Sequence, residues 1–323
     1  MKKLFILFLI MFLAFSNEVS AQLPDALEKN TIINQNIKAQ IQVNFKYKDG
    51  EPSEEGYKNA FKEFDRNGNV IKEEYYRRGD INQELSYKYN KNQDKTEYVN
   101  YSVEEDEVRF KQTIDYNNDG KKTRESRFNG SEHRVINYQY NDEGKLTKII
   151  KKDRDGNLVE RRLFSYEANN AKIRVLDPQD QLTLRIVNKY DDNGNHTEYL
   201  EFTPEGKRIK KISYKFDGNN NKVEEIKYQK GNFIYRKEFE YNGSNQLVEI
   251  QKEQPKGEIH ISKIFEYNSN GHLSKEMWYD SRADDYSSKK YFYNARGIVE
   301  KAEVYYAAYD YKVLYKYNYK FYN

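Results

Sequence analysis

An aromatic residue followed by Asp or Asn, with Gly or Asn four positions after the aromatic, recurs along almost the whole chain. Clear copies are Phe64-Asp65-Arg66-Asn67-Gly68, Tyr116-Asn117-Asn118-Asp119-Gly120 and Tyr140-Asn141-Asp142-Glu143-Gly144. Three more are Tyr190-Asp191-Asp192-Asn193-Gly194, Tyr267-Asn268-Ser269-Asn270-Gly271 and Tyr293-Asn294-Ala295-Arg296-Gly297. With degenerate copies at Tyr89, Tyr166, Phe216 and Tyr241, successive starts lie 24 to 27 residues apart. A steady period of about 25 residues means an array of one supersecondary unit, each unit burying its apolar side against its neighbours.

The fourth position has a backbone reason. It holds Gly68, Gly120, Gly144, Gly194, Gly271 and Gly297, Asn in three copies (Asn170, Asn220, Asn245) and Gln93 in one. Gly and Asn tolerate the left-handed conformation that ends a hairpin loop built on a type I turn. The Asp or Asn after the aromatic can accept hydrogen bonds from amides further along and fix that turn. A second turn falls in mid-unit, as at Arg78-Gly79-Asp80, Asn129-Gly130-Ser131, Pro204-Glu205-Gly206 and Lys230-Gly231-Asn232. Between turns the residues alternate: Phe233, Tyr235, Phe239 and Tyr241 fall opposite Ile234, Arg236, Glu238 and Glu240, and Ile259, Ile261, Phe265 and Tyr267 repeat the pattern. Such period-2 alternation is the mark of a half-buried strand. The expected fold is all-β: about ten tandem β-hairpin repeats, some 20 strands, forming a long curled antiparallel meander or superhelical sheet, because open sheets seldom exceed about 10 strands without curling.

Composition narrows the function. Charged residues make up 33% of the chain, a level common in disordered proteins, but aromatics reach 15% with 31 Tyr, which calls for order. Lys plus Arg number 55 and Asp plus Glu 52, interspersed, for a net charge of +3. No basic stripe stands out to displace counterions from phosphate, so no nucleic-acid partner is expected. Cysteine is absent, which excludes disulfides, thiolate chemistry and Cys-ligated metal. Lys2 and Lys3, the apolar run Leu4 to Phe15 and the small residues Val19-Ser20-Ala21 read as a cleaved signal peptide over 1–21. Residues 22–56 follow as an N-terminal segment with a short helix within Pro24 to Lys38 and a first strand from Ile37 to Tyr47. Residues 57–323 form the array, ending in a Tyr/Lys strand from Tyr311 to Tyr319. No run in the mature chain is long and apolar enough for a transmembrane helix.

The phrases Tyr190 to Asn195, Tyr140 to Leu146 and Phe64 to Val70 resemble the YD repeats of the RHS family, over about residues 57–323. The combination of this array with a signal peptide also looks like secreted YD-repeat proteins of Bacteroidetes. The resemblance implies continuous antiparallel sheet, which in the large toxins of that family winds into a hollow shell around a C-terminal cargo. This chain is far shorter and lacks the family's self-cleavage signature: Asp177-Pro178 is followed by Gln179-Asp180.

No catalytic constellation stands out. His133, His196, His260 and His272 are far apart, and no nucleophile elbow or phosphate loop is present. Asp65, Asp153 and Asp191 open segments like the start of a calcium loop, but the twelfth position, where a bidentate Glu belongs, holds Tyr76, Phe164 and Phe202. No metal or cofactor is therefore expected. The densest aromatic group, Trp278, Tyr279, Tyr305, Tyr306, Tyr309 and Tyr311, is the candidate binding surface, since aromatic faces stack on sugars and other partners. These features point to an exported, non-catalytic repeat scaffold, secreted, periplasmic or on the cell surface, that binds a protein or glycan at the cell envelope. Two alternatives are an outer-membrane β-barrel and a toxin-related shell component. Against the barrel, Lys and Glu interrupt both faces of most strands, as Lys237 does within Phe233 to Tyr241.

Overall fold

The computed structural model describes residue 23 and residues 25–323, so the expected signal peptide lies outside the described residues. From Ile37 onward the chain is a sequence of antiparallel strands, each paired with the next apart from the two-residue strand Glu51–Pro52, which folds back on the first. It does not end as an open meander. The final strand, Tyr311–Phe321, pairs along its length with the first, Ile37–Lys48, from Ile37 opposite Phe321 to Lys46 opposite Val313. The first strand also pairs on its other side with Tyr57–Phe64. The sheet therefore closes into a barrel of 22 strands, which corrects the open or superhelical sheet expected from the sequence. The reason is edge chemistry: an open array would leave two rows of unpaired amides and carbonyls, and closure satisfies both.

Strands about 4.8 Å apart give 22 of them a girth of about 105 Å, about 34 Å across if round and untilted. Eight strands already enclose a space that side chains just fill, so a ring of this size surrounds a lumen. Lys289, Tyr317 and Tyr138 lie deep within the ring, yet remain only partly shielded from water. The lumen is wet.

The repeat explains how the ring is built. All motif turns lie at one mouth and the mid-unit turns at the other, because the strands run alternately up and down. In the motif turn at Asp191, the Asp191 amide donates to the Asn195 carbonyl (2.9 Å) and the Gly194 amide to the Asp191 carbonyl (3.0 Å). Asp191 Oδ1 accepts from the amides of Asn193 (3.0 Å) and Asn195 (2.8 Å). Gly194 has φ +82°, the left-handed value that the motif requires. The Tyr166 copy differs: its hairpin pairs Glu167 with Asn170 and places the positive φ on Ala168, so Asn170 is a strand residue and not the turn residue expected.

The motif aromatic ties neighbouring strands together. Tyr89, Tyr116, Tyr140, Tyr166, Tyr241, Tyr267, Tyr293 and Tyr319 each donate a hydroxyl hydrogen bond, 2.6–3.1 Å, to the carbonyl near the start of the preceding strand. Tyr319 follows Tyr293 at the same spacing and plays the same part at the seam. Tyr322 extends it across the closure, donating to the Phe64 carbonyl.

The N-terminal segment closes in on the motif mouth. Helix Lys29–Asn34 buries Ile32 in a cluster with Ile37, Phe64 and Ile298. Ahead of it, Ala26 and Leu27 pack on the inner apolar residues Phe239, Leu247, Phe265, Leu273 and Val299. Lys29 Nζ donates to Asn69 Oδ1 (2.5 Å), anchoring the helix to a motif turn.

Gly194→Val tests the turn geometry. A Cβ there meets no neighbour within 4 Å, so the cost is backbone strain alone, about 1–2 kcal/mol. The expected outcome is a lower melting temperature with faster amide exchange around 190–196; an unchanged melting curve and exchange pattern would contradict the turn assignment.

Candidate functional site

Two neighbouring residues on one strand face opposite sides of the wall, and the chemistry differs between the sides. The outer face carries ion-pair ladders that cross three strands. Glu97 is held between Lys88 (2.6 Å) and Lys111 (3.3 Å), Glu198 between Lys189 and Lys211 (both 2.7 Å), and Glu224 between Lys215 (2.8 Å) and Arg236 (2.7 Å). Among the described residues, the exposed large hydrophobics are Leu23, Ile33, Tyr57, Val103, Tyr166, Ile259, Tyr309 and Phe321, all in turns, at strand ends or in the N-terminal segment. They form no belt at mid-height. The apolar outer residues Val43 and Phe45 are covered by the chain's own loop, where a Cβ on Gly56 would come within 2.6–2.7 Å of them.

The inner face carries a repeated tyrosine–carboxylate pair. Tyr87 donates to Glu73 (2.7 Å), Tyr138 to Glu125 (2.9 Å), Tyr235 to Glu225 (2.6 Å) and Tyr291 to Glu276 (2.6 Å). Burial alone would raise the Glu225 carboxyl, but the Lys222 ion pair (2.8 Å) and the Tyr235 hydroxyl outweigh it and hold the group below its ordinary value. Glu73 and Glu125 are lowered in the same way, by Lys62 and Arg127 with their tyrosines. Burial raises the partner phenols, and the nearby carboxylates reinforce the effect; Tyr75, which also donates to Glu73 (3.0 Å), is pushed up to about 12.

The six aromatics singled out in the sequence do not form one surface. Register places Trp278, Tyr306 and Tyr311 on the inner face near the mid-unit mouth, with Trp278 edge-on to Tyr306 at 6.3 Å between ring centres. Tyr279 and Tyr305 point outward and donate to the turn residues Asp284 and Asp310. Tyr309 stands on the rim, 67% exposed, bonded to Arg282. Alternation also fails where it was expected to hold. An extra residue at Ser262 lets Ile261 pair with Gln251 on the outer face while Lys263 pairs with Ile250 on the inner one. A matching bulge at Ile234 turns Phe233 outward against Tyr228 and leaves Tyr235 inside with Lys227.

The histidines do not converge. His196 sits between Tyr190 and Tyr214, His260 packs on Tyr279, His272 stacks on Tyr293, and His133 hydrogen-bonds Ser126 (2.7 Å). The carboxylates of Asp65, Asp153 and Asp191 are engaged by the amides of their own turns. Among the described residues no group of three or more His, Cys, Asp or Glu is placed to hold a metal ion, and no helix is long and apolar enough to cross a membrane.

No family model matches the sequence, and no curated protein does. Among solved structures, the chain is similar to one of TcdB2-TccC3-Cdc42, with 10% identity and TM-score 0.32 over 83% of this chain; it spans about a fifth of that chain, 19%. It is also similar to porin-like proteins from Bacteroides uniformis (14% identity, TM-score 0.31) and Bacteroides vulgatus (12%, TM-score 0.24), in each case over 88% of this chain and 98% of theirs. These likenesses are weak.

The inner tyrosines give a pH signature. Their phenols are raised in the fold above the ordinary value of 10.0, so the stability they confer is full below pH about 10 and is lost as pH climbs through the folded values. In a tyrosinate absorbance titration these phenols should stay protonated at pH 10 and ionise only as circular dichroism reports unfolding. A single class at pH 10 in a folded protein would contradict the buried pairs.

Proposed function

We propose that the protein is an exported, non-catalytic shell, a closed water-soluble barrel that takes a protein or glycan ligand into its lumen at the cell envelope. The observation that carries this reading is the outer face. A lipid-facing wall needs an apolar band about 25 Å tall, and each Lys or Arg at its midplane costs about 2–4 kcal/mol. Here the middle of the wall carries Lys111, Lys211 and Arg236 in ion-pair ladders. That favours the shell over the membrane pore, although both are closed barrels. The wall of the lumen combines aromatic rings with charged groups, a composition suited to recognition.

Residues 23–323 expressed without detergent should be monodisperse and should stay at the bottom of a flotation gradient with phospholipid vesicles. Partition into detergent micelles or flotation with the vesicles would overturn the soluble shell. Hydrolase or protease activity in the pure protein would overturn its non-catalytic part.

A further inference from the structure

Resting on the reading of the lumen as a binding space, we propose that its wall carries a site for an acidic carbohydrate, with Lys227, Lys237, Lys252 and Lys263 as the cationic groups and Tyr235 and Trp278 as the stacking groups. Register puts these six on the inner face of five successive strands, Lys222–Gln229 to Leu273–Asp280. Lys237 stands directly opposite Lys252 and, on its other side, faces Glu225. Glu225 is already engaged by Lys222 (2.8 Å) and by the Tyr235 hydroxyl (2.6 Å), and among the described residues Lys227, Lys237, Lys252 and Lys263 make no salt bridge within 4.0 Å. Lys237 Nζ lies 5.1 Å and Lys227 Nζ 5.8 Å from the centre of the Tyr235 ring. Lys263 is paired across the sheet with Trp278.

Like charges placed directly opposite in a sheet are destabilising. The inner face is less open to screening water than the outer one, and partial burial together with Lys222, Lys252 and Lys227 pushes the Lys237 amine below its ordinary value, against the pull of Glu225. An arrangement that weakens the fold in a region of strained charge is the pattern of a functional site. The missing component is an anion. The ring faces beside the lysines suit the C–H faces of a sugar. An extended peptide is disfavoured because a closed sheet offers no edge for strand addition. The site is also approachable: Tyr235, Lys227 and Lys252 lie toward the mid-unit mouth, opposite the mouth that the N-terminal helix occupies.

Calorimetry at low salt with tetragalacturonic acid and with neutral maltotetraose tests this. The acidic sugar should bind, the neutral one at least about tenfold more weakly, and Lys237→Gln and Lys252→Gln should each lower affinity about tenfold, as loss of a charged hydrogen bond does. Lys215→Gln on the outer face should change nothing. Lys252→Gln should also raise the melting temperature, which shows that the variant folds and that the opposed lysines were costly. Equal binding of the neutral sugar, unaffected by the inner variants, would overturn the anionic site. So would tighter binding of polyglutamate or of an oligothymidylate at the same salt. Absence of galacturonate binding in a protein that stays soluble without detergent would overturn this inference and leave the shell standing.

Discussion

The ladder between Ile37–Lys48 and Tyr311–Phe321 is the contact on which the rest of the structure depends. Every other pairing joins strands adjacent in sequence and is paid for locally by a turn. The seam joins residues almost 280 apart and turns a two-ended sheet into a ring. It removes both edges, separates an inner from an outer surface, and creates the lumen. The N-terminal helix and Tyr322 reinforce it, one from the motif mouth and the other through the Phe64 carbonyl.

Closure also gives one repeat two chemistries. Glu224 and Glu225 are neighbours in sequence, yet Glu224 belongs to an outer ladder with Lys215 and Arg236, and Glu225 to an inner pair with Tyr235. The outer charges are solvated and paired in ladders across neighbouring strands. The inner charges are set among tyrosines and are only partly matched. One thin sheet thus carries two chemistries, solvated ion-pair ladders outside and tyrosine–carboxylate pairs inside.

Much of the local fold was legible in the sequence. A residue at positive φ restricts side-chain choice sharply, so Gly and Asn at the fourth position mark each turn, and the period follows from them. Closure was not legible, because pairing between the two terminal strands leaves no local trace: Tyr311 to Tyr319 reads as a strand whatever lies beside it. The bulges at Ile234 and Ser262 were also hidden, since an inserted residue looks like ordinary alternation. The aromatic cluster failed for a reason the sequence did contain. Trp278 and Tyr279, like Tyr305 and Tyr306, are adjacent on a strand and so face opposite ways. The signal for the inner lysines was Lys237 itself, a charge interrupting an otherwise aromatic face; only the ring shows that this face looks inward.

The seam is most directly tested by a disulfide across it. The chain has no cysteine of its own. Ile41 and Asn318 are direct cross-strand partners, and such pairs lie about 4.5–5.5 Å apart at Cα, within disulfide reach. In the double variant Ile41→Cys, Asn318→Cys, mild oxidation in dilute, detergent-free solution should form an intramolecular bond in nearly every molecule. The bond should appear as faster migration on a non-reducing gel and as a higher melting temperature. Failure to form the bond, or bonds only between molecules, would mean that the ends of the sheet do not meet and that the ring is open.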